Sequence, residues 1–242
     1  MRRWVDGLAW RLGHGVLPPC CVLCGGAGAG RDLCAGCAAA LPRNRPCCAR
    51  CGLPLPYVAA ACGACAAHAP PWRALHAPFR YAWPLDRLVA RYKFGGDLAA
   101  GAVLAAVLAE DLAGAADRVD AIVPVPLSRA RLRTRGFNQA LELARPLSRR
   151  FARPLHGDAL RRSRDTAAQA GLDAAARRRN VRGAFDANPA VAGLRVALLD
   201  DVVTTGATAA ACSVALLGAG ARSVEVWALA RAPPPAQPGA SA

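Results

Sequence analysis

The stretch Val196-Ala-Leu-Leu-Asp-Asp-Val-Val-Thr-Thr-Gly-Ala-Thr208 constrains the fold more than any other part of the chain. Its first four residues, Val196, Ala197, Leu198 and Leu199, are an apolar run of the kind found in a strand buried on both faces of a parallel sheet. Asp200 and Asp201 follow at the carboxyl end of that strand, where open α/β sheets bind their ligands. Thr204, Thr205, Gly206, Ala207 and Thr208 then supply closely spaced backbone N–H groups and three hydroxyls. A helix expected over 209–217, stopped by Gly218, turns the positive end of its dipole toward that loop. Together these parts make an anion cradle beside two carboxylates. A generic doubly wound strand with a polar loop explains the apolar run, but not Asp-Asp followed by Thr-Thr-Gly-Ala-Thr.

The rest of the second half alternates strand and helix patterns. Residues 79–83, Phe-Arg-Tyr-Ala-Trp, alternate as an edge strand or hairpin arm does. Leu85, Leu88, Val89 and Tyr92 fall at helical spacing, and a further helix is expected over 102–112. Val119-Asp-Ala-Ile-Val-Pro-Val-Pro126 reads as a strand that runs into a polar, Arg-rich loop over 127–135. Gly136-Phe-Asn-Gln-Ala opens a helix reaching about Phe151, with a kink expected at Pro146. Residues 194–199 and 223–230 supply two more strands. This alternation predicts an α/β fold, with a mostly parallel, doubly wound sheet covered by helices on both faces.

Ten of the eleven cysteines lie between Cys20 and Cys65. Cys21-x2-Cys24 precedes Cys34-x2-Cys37, and Cys48-x2-Cys51 precedes Cys62-x2-Cys65. Each set offers four thiolates, which suits the tetrahedral all-thiolate coordination of structural zinc. About two zinc ions are therefore expected, on Cys21, Cys24, Cys34 and Cys37 and on Cys48, Cys51, Cys62 and Cys65. Cys20 and Cys47 could each replace a neighbour as ligand. A thiol-exchange switch is the alternative, but four such motifs in tandem fit metal better. A closed four-cysteine site leaves no open coordination position, so the module reads as a folding and docking unit. Cys212, alone on the helix after the loop, reads as a small buried residue.

At 242 residues the chain can bury one sizeable core and carry a small module besides. The reading divides it into an amino-terminal amphipathic helix over 1–19 (Trp4, Leu8 and Leu12 at helical spacing), a double zinc ribbon over 20–66, the α/β domain over 67–231 and a disordered Pro/Ala-rich tail over 232–242. The formal net charge is +15, and Lys93 is the only lysine. Between Arg129 and Arg182 fifteen arginines face four acids, a net +11 that suits an anionic substrate or a nucleic-acid backbone as well as a solvated basic face. No apolar stretch of membrane-spanning length with few charges is expected, and Asp6, Arg11 and His14 interrupt any signal-peptide core.

The strand–acid–loop pattern resembles the signature of type I phosphoribosyltransferases, which use phosphoribosyl pyrophosphate (PRPP). That resemblance implies a sheet of the same type. It implies that Asp200 and Asp201 hold the ribose hydroxyls and that the loop, with Val202, Thr204, Thr205, Gly206, Ala207 and Thr208, holds the 5′-phosphate. Pro124, Val125, Pro126 and Leu127 form the candidate pyrophosphate loop. Arg164, with Thr166 and Gln169, lies where related enzymes carry a mobile catalytic loop; Arg164 could cover the leaving group. Magnesium with PRPP would bridge pyrophosphate and ribose oxygens with few protein ligands.

From the first CxxC to the last strand the chain is similar to the ComF family. The shared elements are the double zinc ribbon, Lys93-Phe-Gly-Gly, Val-Pro-Val-Pro126 with Arg135-Gly-Phe-Asn-Gln139, Arg164-x-Thr166-x2-Gln169-x2-Leu172 with Arg177-x2-Asn180-Val, and the Asp-Asp…Thr-Thr-Gly-Ala-Thr loop. The resemblance implies a cytoplasmic protein that handles incoming single-stranded DNA during natural transformation. Its expected partners are PRPP, single-stranded DNA, and DNA-uptake helicase or recombination proteins. Two other readings stand beside it: a nucleobase salvage phosphoribosyltransferase with an added zinc module, and a zinc-ribbon nucleic-acid adaptor with a vestigial PRPP site. No acceptor-base reader stands out, and possession of a fold does not establish catalysis.

Overall fold

The computed structural model describes residues 18–57, 59–163 and 183–233. The expectations for Trp4, Leu8 and Leu12, for the tail beyond 233, and for Arg164, Thr166, Gln169, Arg177 and Asn180 lie outside these residues.

The described elements are α1 (Ala35–Ala39), α2 (Gly63–Ala67), β1 (Ala74–His76), β2 (Phe79–Arg80), α3 (Leu85–Gly95), α4 (Leu98–Leu112), β3 (Ala121–Pro124), α5 (Arg129–Arg135), α6 (Gln139–Phe151), β4 (Leu160–Arg162), β5 (Phe185–Ala187), β6 (Arg195–Val203), α7 (Ala207–Gly218) and β7 (Ser223–Arg231). The sheet runs β1-β7-β6-β3, and every pairing in it is parallel. β2 also pairs in parallel with β7, through Phe79 opposite Ala230. β1 and β2 are thus two pieces of one interrupted edge strand, not a hairpin arm. β4 and β5 form a separate antiparallel pair.

Two apolar layers sandwich the sheet, as the unbroken apolar runs of its strands require. One holds Leu88, Leu104, Leu108, Leu143 and Leu147 of α3, α4 and α6 against Leu199, Trp227 and Leu229. The other holds Ala209, Cys212 and Leu216 of α7, with Trp72 and Phe185, against Leu198, Val226 and Ala228. Cys212 is fully buried, as expected.

Short polar signals set the helix ends. Gly96 takes a left-handed conformation (φ +62°) after α3, and Asp97 caps α4 by accepting from the Ala100 N–H at 2.9 Å. The Lys93-Phe-Gly-Gly run is therefore a helix–helix corner. Residues 129–135 are a helix, not the expected loop. Ser128 accepts from the Arg131 N–H and Gly136 (φ +77°) closes the last turn, while arginine itself favours helix. α6 begins at Gln139 behind an Asn138 cap and runs through Pro146.

Among the described residues one helical stretch, Leu98–Arg118, is long and apolar enough to cross a membrane by length and composition, contrary to the expectation that none is. Its Val103, Leu104, Val107, Leu108 and Leu112 are buried in the core.

The cysteine module is joined to the α/β body. Cys21, Leu33 and Leu41 share the larger core, and Arg31 and Arg43 pair with Glu110 and Asp111 of α4. Asn44, 1% exposed, donates through Nδ2 to the carbonyls of Gly52 (2.8 Å) and Ala77 (3.0 Å), clamping the second knuckle to the sheet edge.

Candidate anion cavity and four-cysteine centres

β6 carries the acid pair in its second half, toward the carboxyl end of the sheet. It extends to Val203, so Asp200 and Asp201 are strand residues and face opposite layers. Asp200 lines a cavity of about 180 Å³ together with Val125, Pro126, Leu127, Val202, Thr204, Thr205, Gly206, Ala207 and Thr208. Two cations, Arg131 of α5 and Arg162 of β4, line the same cavity. Pro124 and Asp201 lie outside its lining. Pro124 is buried opposite Leu199, and Asp201 turns to the α3 side, where Lys93 Nζ stands 2.8 Å from its Oδ2.

Burial, and the neighbouring Asp201 carboxylate, push Asp200 up to about 7. The Asp201 N–H, which donates to Asp200 Oδ1 at 2.8 Å, and the Lys93 ammonium pull the other way. Asp201 Oδ1 accepts from the Val202 N–H at 2.6 Å. Around Lys93 an aromatic shelf forms: Tyr92 packs on Phe137 at 5.4 Å and donates its hydroxyl to the Gln139 carbonyl, and the Arg135 guanidinium lies 5.2 Å over Phe94. Burial lowers Arg135 from its ordinary range, while the Asp201 charge opposes that shift.

Gly206 adopts a left-handed conformation (φ +78°) as the cap of α7, and Thr205 Oγ1 accepts from the Ala207 N–H at 3.3 Å. The first residues of α7, Ala207, Thr208 and Ala209, line the cavity, so the amino-terminal end of the helix borders it. In the segment that gives Val125, Pro126 and Leu127 to the lining, Pro126 has no N–H, and the Val125 N–H is already used by the Leu199 carbonyl at 2.8 Å. Leu127 is left as the backbone donor of that segment. Asn138 pins the wall by donating to the Val125 carbonyl at 3.1 Å.

The two cysteine sets each converge. In both, the four Sγ atoms lie within 4.8 Å of one another. Cys24 and Cys34 sulfurs are 3.8 Å apart, and Cys51 and Cys62 sulfurs 3.7 Å. A zinc–sulfur bond of about 2.3 Å in a tetrahedron gives a sulfur–sulfur edge of about 3.8 Å. The clusters fit two structural zinc ions. Burial works against the Cys21 and Cys48 thiolates, but converging backbone N–H groups outweigh it and lower them to about 6 and about 7. Cys20 and Cys47 stand outside both clusters; Cys20 Sγ contacts the Gly25 carbonyl instead.

Sequence reasoning did not single out Arg162, which lies in a three-residue strand, nor the role of Arg231. Arg131 lines the cavity, whereas Arg135 lies over Phe94 and donates to Gln139 Oε1 at 3.1 Å. The partner of Lys93 is a tertiary contact that no local pattern reveals.

Residues 12–66 match the family model of the double zinc ribbon domain. The chain is 38% identical over 167 residues to DNA utilization protein YhgH of Escherichia coli (strain K12), covering 67% of this chain and 74% of that protein. The same values hold for DNA utilization protein YhgH of Salmonella typhimurium. Competence protein F of Haemophilus influenzae is 36% identical over 171 residues, covering 67% of this chain and 75% of that protein.

Proposed function

The chain belongs to the ComF family, with DNA utilization protein YhgH and competence protein F among its relatives, and from that premise we propose that it binds PRPP with magnesium and takes part in the uptake or use of incoming single-stranded DNA. The observation that carries the PRPP reading is the single cavity on which Asp200, the 204–208 loop and two arginines converge. Clustered donors at a helix start suit a 5′-phosphate, and a carboxylate accepts from ribose hydroxyls. Arg131 and Arg162 suit a diphosphate leaving group. Asp201, held by Lys93, reaches the end of β6 from the other layer.

Transfer from PRPP would be a displacement at the anomeric carbon, with the acceptor's nucleophile forming the new bond as pyrophosphate leaves. Magnesium would neutralise the leaving diphosphate. The chain's own part is to fix the ribose and to gather cations around the departing charge. Arg164 belongs to this proposal as a cover for the leaving group.

The DNA part rests on the family and on charge. Helices α5 and α6 carry Arg129, Arg131, Arg133, Arg135, Arg145, Arg149 and Arg150. Trp83, 70% exposed, stands beside Arg87 where a base could stack. A cytoplasmic location goes with this proposal, because incoming DNA would be processed there. The test is calorimetry of PRPP with magnesium, run with and without an unstructured oligonucleotide at several salt concentrations. PRPP binding, together with oligonucleotide binding that weakens steeply as salt rises, supports the proposal. PRPP binding with no oligonucleotide binding favours the salvage reading. The reverse favours a nucleic-acid adaptor.

A further inference from the structure

Arg231, the last residue of β7, is 7% exposed, and no carboxylate pairs with it among the described residues. Its guanidinium is spent on backbone carbonyls. Nε donates to Cys51 at 3.0 Å, and Nη1 donates to Val203 at 3.1 Å, to Ala232 at 2.8 Å and to Thr204. Cys51 belongs to the second four-cysteine cluster, and Val203 and Thr204 lead into the anion loop. One rigid planar cation thus grips both.

A second link runs beside it. Trp72 donates through Nε1 to the Arg50 carbonyl at 2.7 Å, inside the Cys48–Cys51 knuckle. Its ring lies under Gly206 so closely that a Cβ there would stand 3.3 Å away. The first cluster is tied elsewhere, through Arg31 to Glu110 and through the Val22 carbonyl to Arg91.

A buried guanidinium without a carboxylate needs another source of negative charge. A divalent ion on four thiolates carries net negative charge, and the Cys48, Cys51, Cys62 and Cys65 cluster is the one beside Arg231. We propose that Arg231 is a positioning residue that couples this second four-cysteine centre to the 204–208 loop, so that metal in the one and a phosphate in the other strengthen each other. The inference rests on the anion-loop reading above. It makes the second centre a buttress of the site, and the first an anchor to α3 and α4.

Thermodynamic linkage makes the coupling reciprocal, so it is measurable from the metal side. The experiment is equilibrium competition for zinc between the full chain and a chelator, with and without saturating ribose 5-phosphate, alongside direct calorimetry of ribose 5-phosphate. One of two zinc ions should bind about fivefold or more tightly in the presence of ribose 5-phosphate, and the other should be unchanged. Arg231→Met, still holding two zinc ions, should bind ribose 5-phosphate more weakly and lose the linkage. Arg231→Lys keeps the charge with fewer aligned donors and should retain part of it, which decides the matter if the Met variant fails to fold. Ribose 5-phosphate binding with unchanged zinc affinity overturns this inference alone. No ribose 5-phosphate binding in the parent overturns the anion-loop reading and the inference with it.

Discussion

Lys93 Nζ lies 2.8 Å from Asp201 Oδ2, with only 16% and 15% of the two side chains exposed. The one lysine of an arginine-rich chain therefore meets one of its two signature acids. Helix α3 delivers it, because Gly96 and Asp97 end that helix a few residues later. A flexible ammonium can follow the carboxylate of Asp201 as a ligand arrives, which a rigid guanidinium cannot do as readily.

Removing the ammonium leaves a poorly solvated carboxylate without its main partner. Lys93→Met should cost about 1.5–3 kcal/mol of stability. Asp201→Asn should cost less, and the double variant should be less destabilised than the sum of the two. Urea unfolding of the four proteins gives the coupling directly. Strict additivity would show that the pair does not stabilise the fold.

Asp200 makes stability depend on pH. Its folded-state value is raised to about 7 from an unfolded value of 3.8. Between those values the folded chain keeps a proton that the unfolded chain has lost. The stabilisation is therefore fully present below about pH 4 and is lost as pH rises through about 7. Asp200→Asn cannot ionise, so its melting temperature should gain on the parent between pH 5 and pH 8. An equal difference at both pH values contradicts the burial of this carboxyl.

The purified chain should carry two zinc ions. Cys34→Ser and Cys62→Ser each leave three thiolates in a four-sulfur site, so each should lower zinc content to about one and reduce solubility. Metal analysis of protein prepared without chelator, with a free-thiol count, decides it. Disulfides in place of metal contradict the assignment.

Two loop variants should fail differently. Thr205→Val removes the hydroxyl that accepts from the Ala207 N–H, and should cost about 1 kcal/mol and weaken binding of simple phosphate monoesters. Gly206→Val places a branched residue at φ +78° with its Cβ 3.3 Å from the Trp72 ring, and should be the more damaging in both stability and binding. Calorimetry with ribose 5-phosphate and thermal unfolding rank the two; the reverse order contradicts the loop geometry.

Local chemistry was legible in the sequence where it is self-contained. The apolar run of β6, the presence of α7 and the eight converging cysteines follow from runs and spacings a few residues long, though α7 starts at Ala207, two residues before the expected 209. The 129–135 helix differs from the loop expected there because its polar, Arg-rich run has no apolar period, and only Ser128 and Gly136 mark its ends. β1 and β2 are too short to show a period. The two faces of Asp200 and Asp201 follow from strand alternation once β6 is known to continue to Val203. The links made by Lys93, Arg162 and Arg231 join elements far apart in the chain, and nothing local encodes them.

The central claim is that the β6 acids and the loop behind them form a PRPP site. Calorimetry of PRPP with magnesium on the parent and on the variant carrying both Asp200→Asn and Asp201→Asn tests it most directly. The variant should fold, keep its affinity for simple phosphate and lose its preference for PRPP with magnesium. If the variant binds PRPP as tightly as the parent does, the assignment of the ribose site is wrong.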